Sequence, residues 1–332
     1  MTNRQLRLAS RPVGLPQPSD WSLSTEPVPE PGPGEFCVEI THVSVDPAMR
    51  GGMNDVRSYL PPIALGEVMR AGAAGRVVAS RHPGFAVDDW VAGLFGVQEY
   101  AVSDGQGVYQ VDPDLVPLPT WLGTLGLTGL TAYFGLFDIG RPQPGDIVVV
   151  SGAAGAVGSV VGQLARLEGC RVIGIAGGPD KCAWLTDELR FDAAIDYKNQ
   201  PVGKELRRLA PQGLDVYFDN VGGELLDTAL TRLAHGARIV ICGAISQYNS
   251  SEIRGPRNYL MLLVARASMT GFVVFDQLDR YPEARARLAR WVRSGELVSR
   301  EDVVPGGVDD FPQVFGRLFT GGNTGKLVLA LR

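Results

Sequence analysis

The run Asp146-Ile-Val-Val-Val-Ser-Gly-Ala-Ala-Gly-Ala-Val-Gly-Ser159, followed by Arg171-Val-Ile-Gly-Ile-Ala-Gly-Gly-Pro-Asp-Lys181, decides the fold. It reads as a buried strand, a glycine turn, a helix and a second strand, the unit that binds the pyrophosphate of a dinucleotide. The fingerprint is Ala153-x-Gly155-x-x-Gly158, with Ala rather than Gly at its first position and Gly152 just before it. A lone glycine triplet is weak evidence. Here an apolar strand over 147–150 leads straight into it. The small residues Gly155, Ala156, Val157 and Gly158 let helix N–H groups approach a phosphate that the helix N-terminus favours electrostatically. A tight strand-to-helix turn without a ligand is the alternative, and the surrounding pattern speaks against it.

The end of the second strand indicates which nucleotide. An NAD site places a carboxylate roughly 20 residues past the glycines to take the ribose hydroxyls, and a 2′-phosphate calls for a cation instead. At that point the chain has Ala176-Gly177-Gly178 and then Lys181. Lys181 can pair with a dianionic phosphate, and the glycines clear the space before it. Asp180 beside it counts against this, although an acid in a helix's first turn is stabilised by the dipole. NADPH is therefore the expected cofactor, with a solvated surface lysine as the other reading of Lys181.

At 332 residues the chain is long for one core, so two domains are expected. With 45% hydrophobic and 20% charged residues its composition is that of a globular protein, and 42 Gly with 23 Pro suit many short connections. The net charge of -5, without any Lys/Arg block, lacks the footprint of a nucleic-acid binder. The N-terminus has no uninterrupted apolar stretch and no segment reaches membrane-spanning length, which predicts a cytoplasmic protein with a small-molecule partner. Cys37, Cys170, Cys182 and Cys242 are scattered, without Cys-x-x-Cys, and read as small apolar residues in a reducing compartment.

Strand-like stretches broken by Pro and Gly run over about 20–101, among them Glu35-Phe-Cys-Val-Glu-Ile, Gly75-Arg-Val-Val-Ala and Asp89-Trp-Val-Ala-Gly-Leu-Phe. After the first two strands of the nucleotide unit come Ala193-Ala-Ile-Asp-Tyr197, Leu214-Asp-Val-Tyr-Phe218, Arg238-Ile-Val-Ile-Cys242 and Gly271-Phe-Val-Val-Phe275, making six in all. Six strands alternating with helices make a doubly wound parallel sheet of the Rossmann type. The tail has a helix and a strand too many for that sheet and is assigned to the first domain. The expected division is a β-rich domain over 1–122 and 303–332 and a nucleotide-binding domain over 123–302, with the reacting centre in a cleft between them.

Two familiar ways of handling the charge that forms on a reduced substrate do not fit the letters. None of the nine tyrosines has a lysine four positions on, which removes the Tyr-x-x-x-Lys pair. His42, His82 and His235 make no metal spacing with a cysteine, so no metal site is expected.

Several blocks together resemble a known family: Ser44-Val-Asp-Pro-Ala-Met-Arg-Gly51, Gly126-Leu-Thr-Gly-Leu-Thr-Ala-Tyr133, the glycine turn, Gly177-Gly-Pro-Asp-Lys-Cys182, Asp215-Val-Tyr-Phe-Asp-Asn-Val-Gly-Gly223 and Cys242-Gly-Ala-Ile-Ser-Gln-Tyr-Asn249. These, with Asn3-Arg-Gln and Leu8-Ala-Ser-Arg-Pro12, are similar to the zinc-free medium-chain dehydrogenase/reductases, in the branch of prostaglandin reductases (leukotriene B4 dehydrogenases), plant double-bond reductases and curcumin reductases. The resemblance runs end to end. It implies a GroES-like first domain and NADPH-dependent reduction of the C=C bond of α,β-unsaturated ketones and aldehydes, by a homodimer. It further implies that Gly155 to Gly158 hold the pyrophosphate and that Lys181 and Tyr197 hold the 2′-phosphate. Asn220 and the segment with Cys242, Gly243 and Ser246 would line the nucleotide, Phe272, Val273 and Val274 would approach the nicotinamide, and Asn323 would close the site. Taken as letters, Asn220 and Asn323 read equally well as turn residues.

The chain departs from the family in two places: Ala48 stands where Tyr is usual after Asp-Pro, and Thr324 where Phe is usual in the tail's Asn-Phe-Gly-Lys. Both would widen the substrate pocket. Hydride delivered to the β-carbon leaves an enolate, whose oxygen needs a hydrogen-bond donor and whose α-carbon needs a proton. Tyr248, after a strand end, and Tyr59, in Arg57-Ser-Tyr-Leu-Pro-Pro, are the candidate donors; water or a cofactor ribose hydroxyl is the alternative. A quinone reductase of the same superfamily and a low-turnover NADPH-binding protein are the competing functions.

Overall fold

In the computed structural model, which describes residues 1–332, the chain divides into Met1–Gly123 with Glu301–Arg332 and Thr124–Arg300. The first unit opens with β1 (Thr2–Leu8) and β2 (Trp21–Pro27), an antiparallel pair. β3 (Phe36–Ser44), β4 (Ala73–Ser80), β5 (Trp90–Gly93), β6 (Tyr100–Ser103) and β7 (Tyr109–Gln110) follow, with the Pro- and Gly-rich connections as turns. In the second unit come β8 (Ile147–Ser151), β9 (Arg171–Ala176), β10 (Ala193–Asp196), β11 (Leu214–Asp219), β12 (Leu233–Ile241) and β13 (Ser268–Gly271). The tail returns to the first unit as β14 (Glu301–Gly306) and β15 (Lys326–Leu331).

β14 and β15 complete a seven-stranded sheet in the order β14-β15-β3-β4-β5-β7, with β6 also paired to β3. β15 lies antiparallel to β3, so the last strand is structurally part of the N-terminal unit. Between β14 and β15 the helix Phe311–Thr320 buries Phe311, Val314, Phe315 and Leu318, an i, i+3, i+4, i+7 stripe. That stripe packs into a core with Phe36, Val38 and Leu327, and Trp21 meets Phe311 and Phe315 edge-on.

The second unit is a parallel six-stranded sheet in the order β10-β9-β8-β11-β12-β13. Val148, Val149 and Val150 of β8 are fully buried, as expected of a central strand covered on both faces. Strand order reverses between β8 and β11, and in sheets of this kind ligands bind beyond the carboxyl ends at that reversal.

The sixth strand is not where the letters put it. Gly271-Phe-Val-Val-Phe275 was expected to be extended, but β13 is Ser268–Gly271, and Val274–Arg280 winds as 3₁₀ turns. All four β13 residues are exposed because the strand is the sheet's edge, so it carries no apolar run to betray it. The apolar letters after it serve packing: Phe272 sits edge-on to Phe218, over Gly135. No helix is long and apolar enough to cross a membrane.

Candidate functional site

β8 ends at Ser151 and the chain turns through Gly152, at φ +58°. The Gly155 amide donates to the Gly152 carbonyl (3.0 Å), and Gly155, extended, precedes the helix Ala156–Leu167. The first intrahelical bond to reach back here is from Ser159 to Gly155, so the amides of Ala156, Val157 and Gly158 have no carbonyl a turn earlier. Gly155 has no side chain to cap them. A Cβ on Gly158 would lie 2.4 Å from the Gly152 oxygen and 2.8 Å from the Ala153 Cα, so the helix sits directly on its turn. Amides without a carbonyl partner at the positive end of a twelve-residue helix fit a pyrophosphate.

At the end of β9 the chain passes through Gly177 and Gly178 (φ +99°) into the short helix Pro179–Ala183, which carries a half-buried Lys181. A Cβ on Gly177 would fall 2.9 Å from the Tyr197 ring and 3.0 Å from Lys198 Cε. Tyr197, 47% exposed, and Lys198 therefore crowd the same strand end.

An acid does stand nearby, and sequence reasoning did not single it out. Asp196, at the end of β10, is buried and accepts from the Gly178 amide (2.8 Å), the Lys198 amide (3.0 Å) and Asn199 Nδ2 (2.6 Å). The Gly178 bond first, then Asn199, hold its carboxyl below the usual range. Its oxygens are engaged in shaping the loop instead of being offered to a ribose. The signal was legible as an Asx turn, an Asp whose side chain takes the amide two residues on. The residues present thus fit a 2′-phosphate: Lys181 follows β9 by a few residues, Tyr197 packs against Gly177, and the acid at the end of β10 is already occupied.

Across the reversal, β11 ends in Asp219-Asn220. Asn220 donates through Nδ2 to the Ser151 carbonyl (2.7 Å) and through its amide to Ser151 Oγ (2.9 Å), binding β8 and β11 together. The Asp219 carbonyl accepts from the amides of Cys242 (2.9 Å) and Gly243 (3.1 Å), and Ser246 Oγ donates to the Val221 carbonyl (2.6 Å). Asn220 and the segment with Cys242, Gly243 and Ser246 are therefore one hydrogen-bonded group. Burial pushes the Cys242 thiol up to about 12, leaving it neutral. Tyr248 folds back on this segment, its phenol oxygen accepting from the Ala244 amide (3.2 Å) and approaching Gly243. Of the following stretch, Val274 is buried and Phe272 and Val273 are half-buried.

Tyr59 and Asn323 belong to the first unit. Tyr59 is 57% exposed on the loop after the turn Met49–Gly52, and Asn323 Nδ2 donates to the Gly325 carbonyl (3.0 Å), closing its own loop. What the sequence reading missed lies beside them. Lys326, 2% exposed, donates from Nζ to Asp46 Oδ1 (2.6 Å) and the Val45 carbonyl (3.0 Å), and Ser44 Oγ donates to the same carboxylate. Burial pulls the Lys326 ammonium below its usual value while Asp46 opposes the shift. Arg50, also buried, donates to the carbonyls of Pro12 and Gly14 and to Asn54 Oδ1. The letters Asp46-Pro-Ala-Met-Arg and Gly325-Lys had been noticed as motifs; their pairing is long-range and has no local signature.

No group of three or more His, Cys, Asp or Glu side chains is arranged to hold a metal ion. A family described as the N-terminal domain of oxidoreductase matches residues 4–111, and one described as zinc-binding dehydrogenase matches 156–290. The chain is 40% identical to the NADPH-dependent curcumin reductase of Escherichia coli, over 98% of this chain and 96% of that protein. It is 36% identical to the NADP(+)-dependent 2-alkenal reductase of Nicotiana tabacum, over 99% and 97%. The crystal structure of CurA from Vibrio vulnificus in complex with NADPH superimposes with a TM-score of 0.93 at 42% identity, covering 99% of each chain. The chain belongs to the medium-chain dehydrogenase/reductase superfamily, in the branch of the curcumin, 2-alkenal and prostaglandin reductases.

Proposed function

We propose that this protein is an NADPH-dependent reductase of the C=C bond of α,β-unsaturated ketones and aldehydes. One observation carries the reading: Lys181 and Tyr197 follow the ends of β9 and β10, and the carboxylate that ends β10, Asp196, is engaged by Gly178, Lys198 and Asn199, on a chain similar to an NADPH-dependent curcumin reductase and an NADP(+)-dependent 2-alkenal reductase. Bound NADPH would supply the hydride. The amides of Ala156, Val157 and Gly158 would hold the pyrophosphate, and Asn220, Cys242, Gly243, Ser246, Phe272, Val273 and Val274 the rest of the nucleotide. Hydride addition at the β-carbon leaves negative charge on the carbonyl oxygen, where a donor is needed. We assign that donor to Tyr248, which its bond from Ala244 holds at a strand end, with Tyr59 as the second candidate.

The protein is proposed to act as a homodimer. Around the unpaired edge strand β13, Leu260 (60%), Leu263 (76%), Val264 (61%) and Met269 (37%) are exposed, an apolar surface of the kind a second copy covers. Stoichiometric NADPH oxidation against a panel of enones, enals and quinones tests the function. Turnover confined to quinones would make it a quinone reductase, and binding without turnover on any of them would refute catalysis.

A further inference from the structure

The carboxylate of Asp219 has no part in the reaction as proposed. It ends β11, is 1% exposed, and is held by uncharged donors: Ser151 Oγ (2.8 Å), the Val221 amide (3.1 Å) and the Gly222 amide (3.0 Å), with the Tyr217 phenol beside it. Burial pushes its carboxyl upward, and those same hydrogen bonds oppose the shift and stabilise the anion. The charge is felt along the neighbouring strand ends. It adds to the upward shift of the Cys242 thiol and of the fully buried Tyr217 phenol.

The position of this anion follows from the topology. If the 2′-phosphate lies at the end of β9 and the pyrophosphate at the turn after β8, the remaining half of the dinucleotide extends over the ends of β11 and β12, on the other side of the strand-order reversal. Asp219 terminates the first of those strands, and its carbonyl fixes the amides of Cys242 and Gly243 at the end of the second. The oxidised and reduced nicotinamide differ by a hydride, and therefore by one positive charge on the ring. A fixed anion in a region of low dielectric attracts the cation and is indifferent to the neutral ring.

We infer that Asp219 biases the oxidation state of the bound cofactor, favouring NADP⁺ over NADPH and so making the bound NADPH a stronger hydride donor. The inference rests on the NADPH reading above. It is tested by binding, with NADPH fluorescence titration and displacement by NADP⁺ on the full-length chain. Asp219→Asn should weaken NADP⁺ relative to NADPH by about tenfold, which is about 30 mV for a two-electron couple. Ser151→Ala keeps the charge and removes one of its hydrogen bonds, and should leave the ratio within about twofold of the wild type. An unchanged ratio in Asp219→Asn, or an equal change in both variants, overturns the inference. If Asp219→Asn does not fold, the wild type carries the test: NADP⁺ must bind at least as tightly as NADPH, and a preference for NADPH of about tenfold or more overturns it. Failure of the wild type to bind either nucleotide refutes the NADPH reading itself, whereas tight binding with an unchanged ratio refutes only the role of Asp219.

Discussion

Replacing Lys181 with Ala removes the cation on which the choice between NADPH and NADH is proposed to rest. A charge-assisted hydrogen bond contributes ~1.5–3 kcal/mol, or about 10- to 150-fold in Kd. The structure points to the lower end of that range. Lys181 is half-buried, so water and salt screen its charge, and Tyr197 and Lys198 remain at the same strand end in the variant. Asp196 does not become available to a ribose, because Gly178, Lys198 and Asn199 still occupy it. The expected result is a loss of about tenfold in NADPH affinity, with NADH within about twofold of its wild-type value. Fluorescence titration of both nucleotides at one fixed ionic strength reads it. Lys181→Arg should recover most of the loss, since the partner is a phosphate rather than a shape-matched pocket. Equal losses for NADPH and NADH would refute the reasoning, because no contact confined to the 2′-phosphate can weaken a nucleotide that lacks one.

Four further outcomes are expected. Tyr248→Phe should lower kcat on an enone by up to ~10²-fold with NADPH affinity preserved, and Tyr59→Phe less; full kcat in both would make the tyrosines packing residues. Exhaustive chelation should leave activity intact, with no stoichiometric zinc by elemental analysis, and loss on chelation reversed by zinc would reveal a missed site. Lys326→Met should destabilise the first unit by about 2–4 kcal/mol, below the value for a wholly buried pair because the Asp46 side chain is 24% exposed; an unshifted thermal transition would show the pair to be inert. Ala48→Tyr should lower kcat/KM for bulky enones several-fold without changing NADPH Kd, since Ala48 is exposed and its helical φ of -60° accepts a tyrosine; equal rates on bulky and small enones would show that this position does not face substrate.

The nucleotide half was legible because its determinants are local. A valine run, a glycine turn and a following helix lie within one short segment, and Gly158 is needed because a Cβ would strike the turn just before it. Asp196 was missed although its cue was also local, an Asp at a strand end whose carboxylate takes the amide two residues on. The edge strand β13 was misplaced for the opposite reason. Within this chain its four residues are exposed, so burial leaves no mark on Ser268-Met-Thr-Gly271, while the apolar letters just after it serve a turn. Least legible was the first unit, where Asp46 meets Lys326 across almost the whole chain.

That ion pair bears on how the side chains beside it can change while the backbone keeps its place. Asp46 and Lys326 anchor two separate loops to one buried charge pair, and Ser44 locks the carboxylate from a third direction. Ala48 stands two residues beyond one anchor and Thr324 two residues before the other. A fixed anchor lets the neighbouring side chain change from a large ring to a small group without the backbone following, because the loop's position is set by the pair and not by what the side chain packs against. The nucleotide half has less such freedom at Gly158 and Gly177, where a Cβ would lie 2.4 Å from the Gly152 oxygen and 2.9 Å from the Tyr197 ring. The two halves should therefore differ in tolerance, with nucleotide binding as a whole lost on substitution of Gly158 and the residues beside the Asp46–Lys326 anchor accepting single changes without loss of fold.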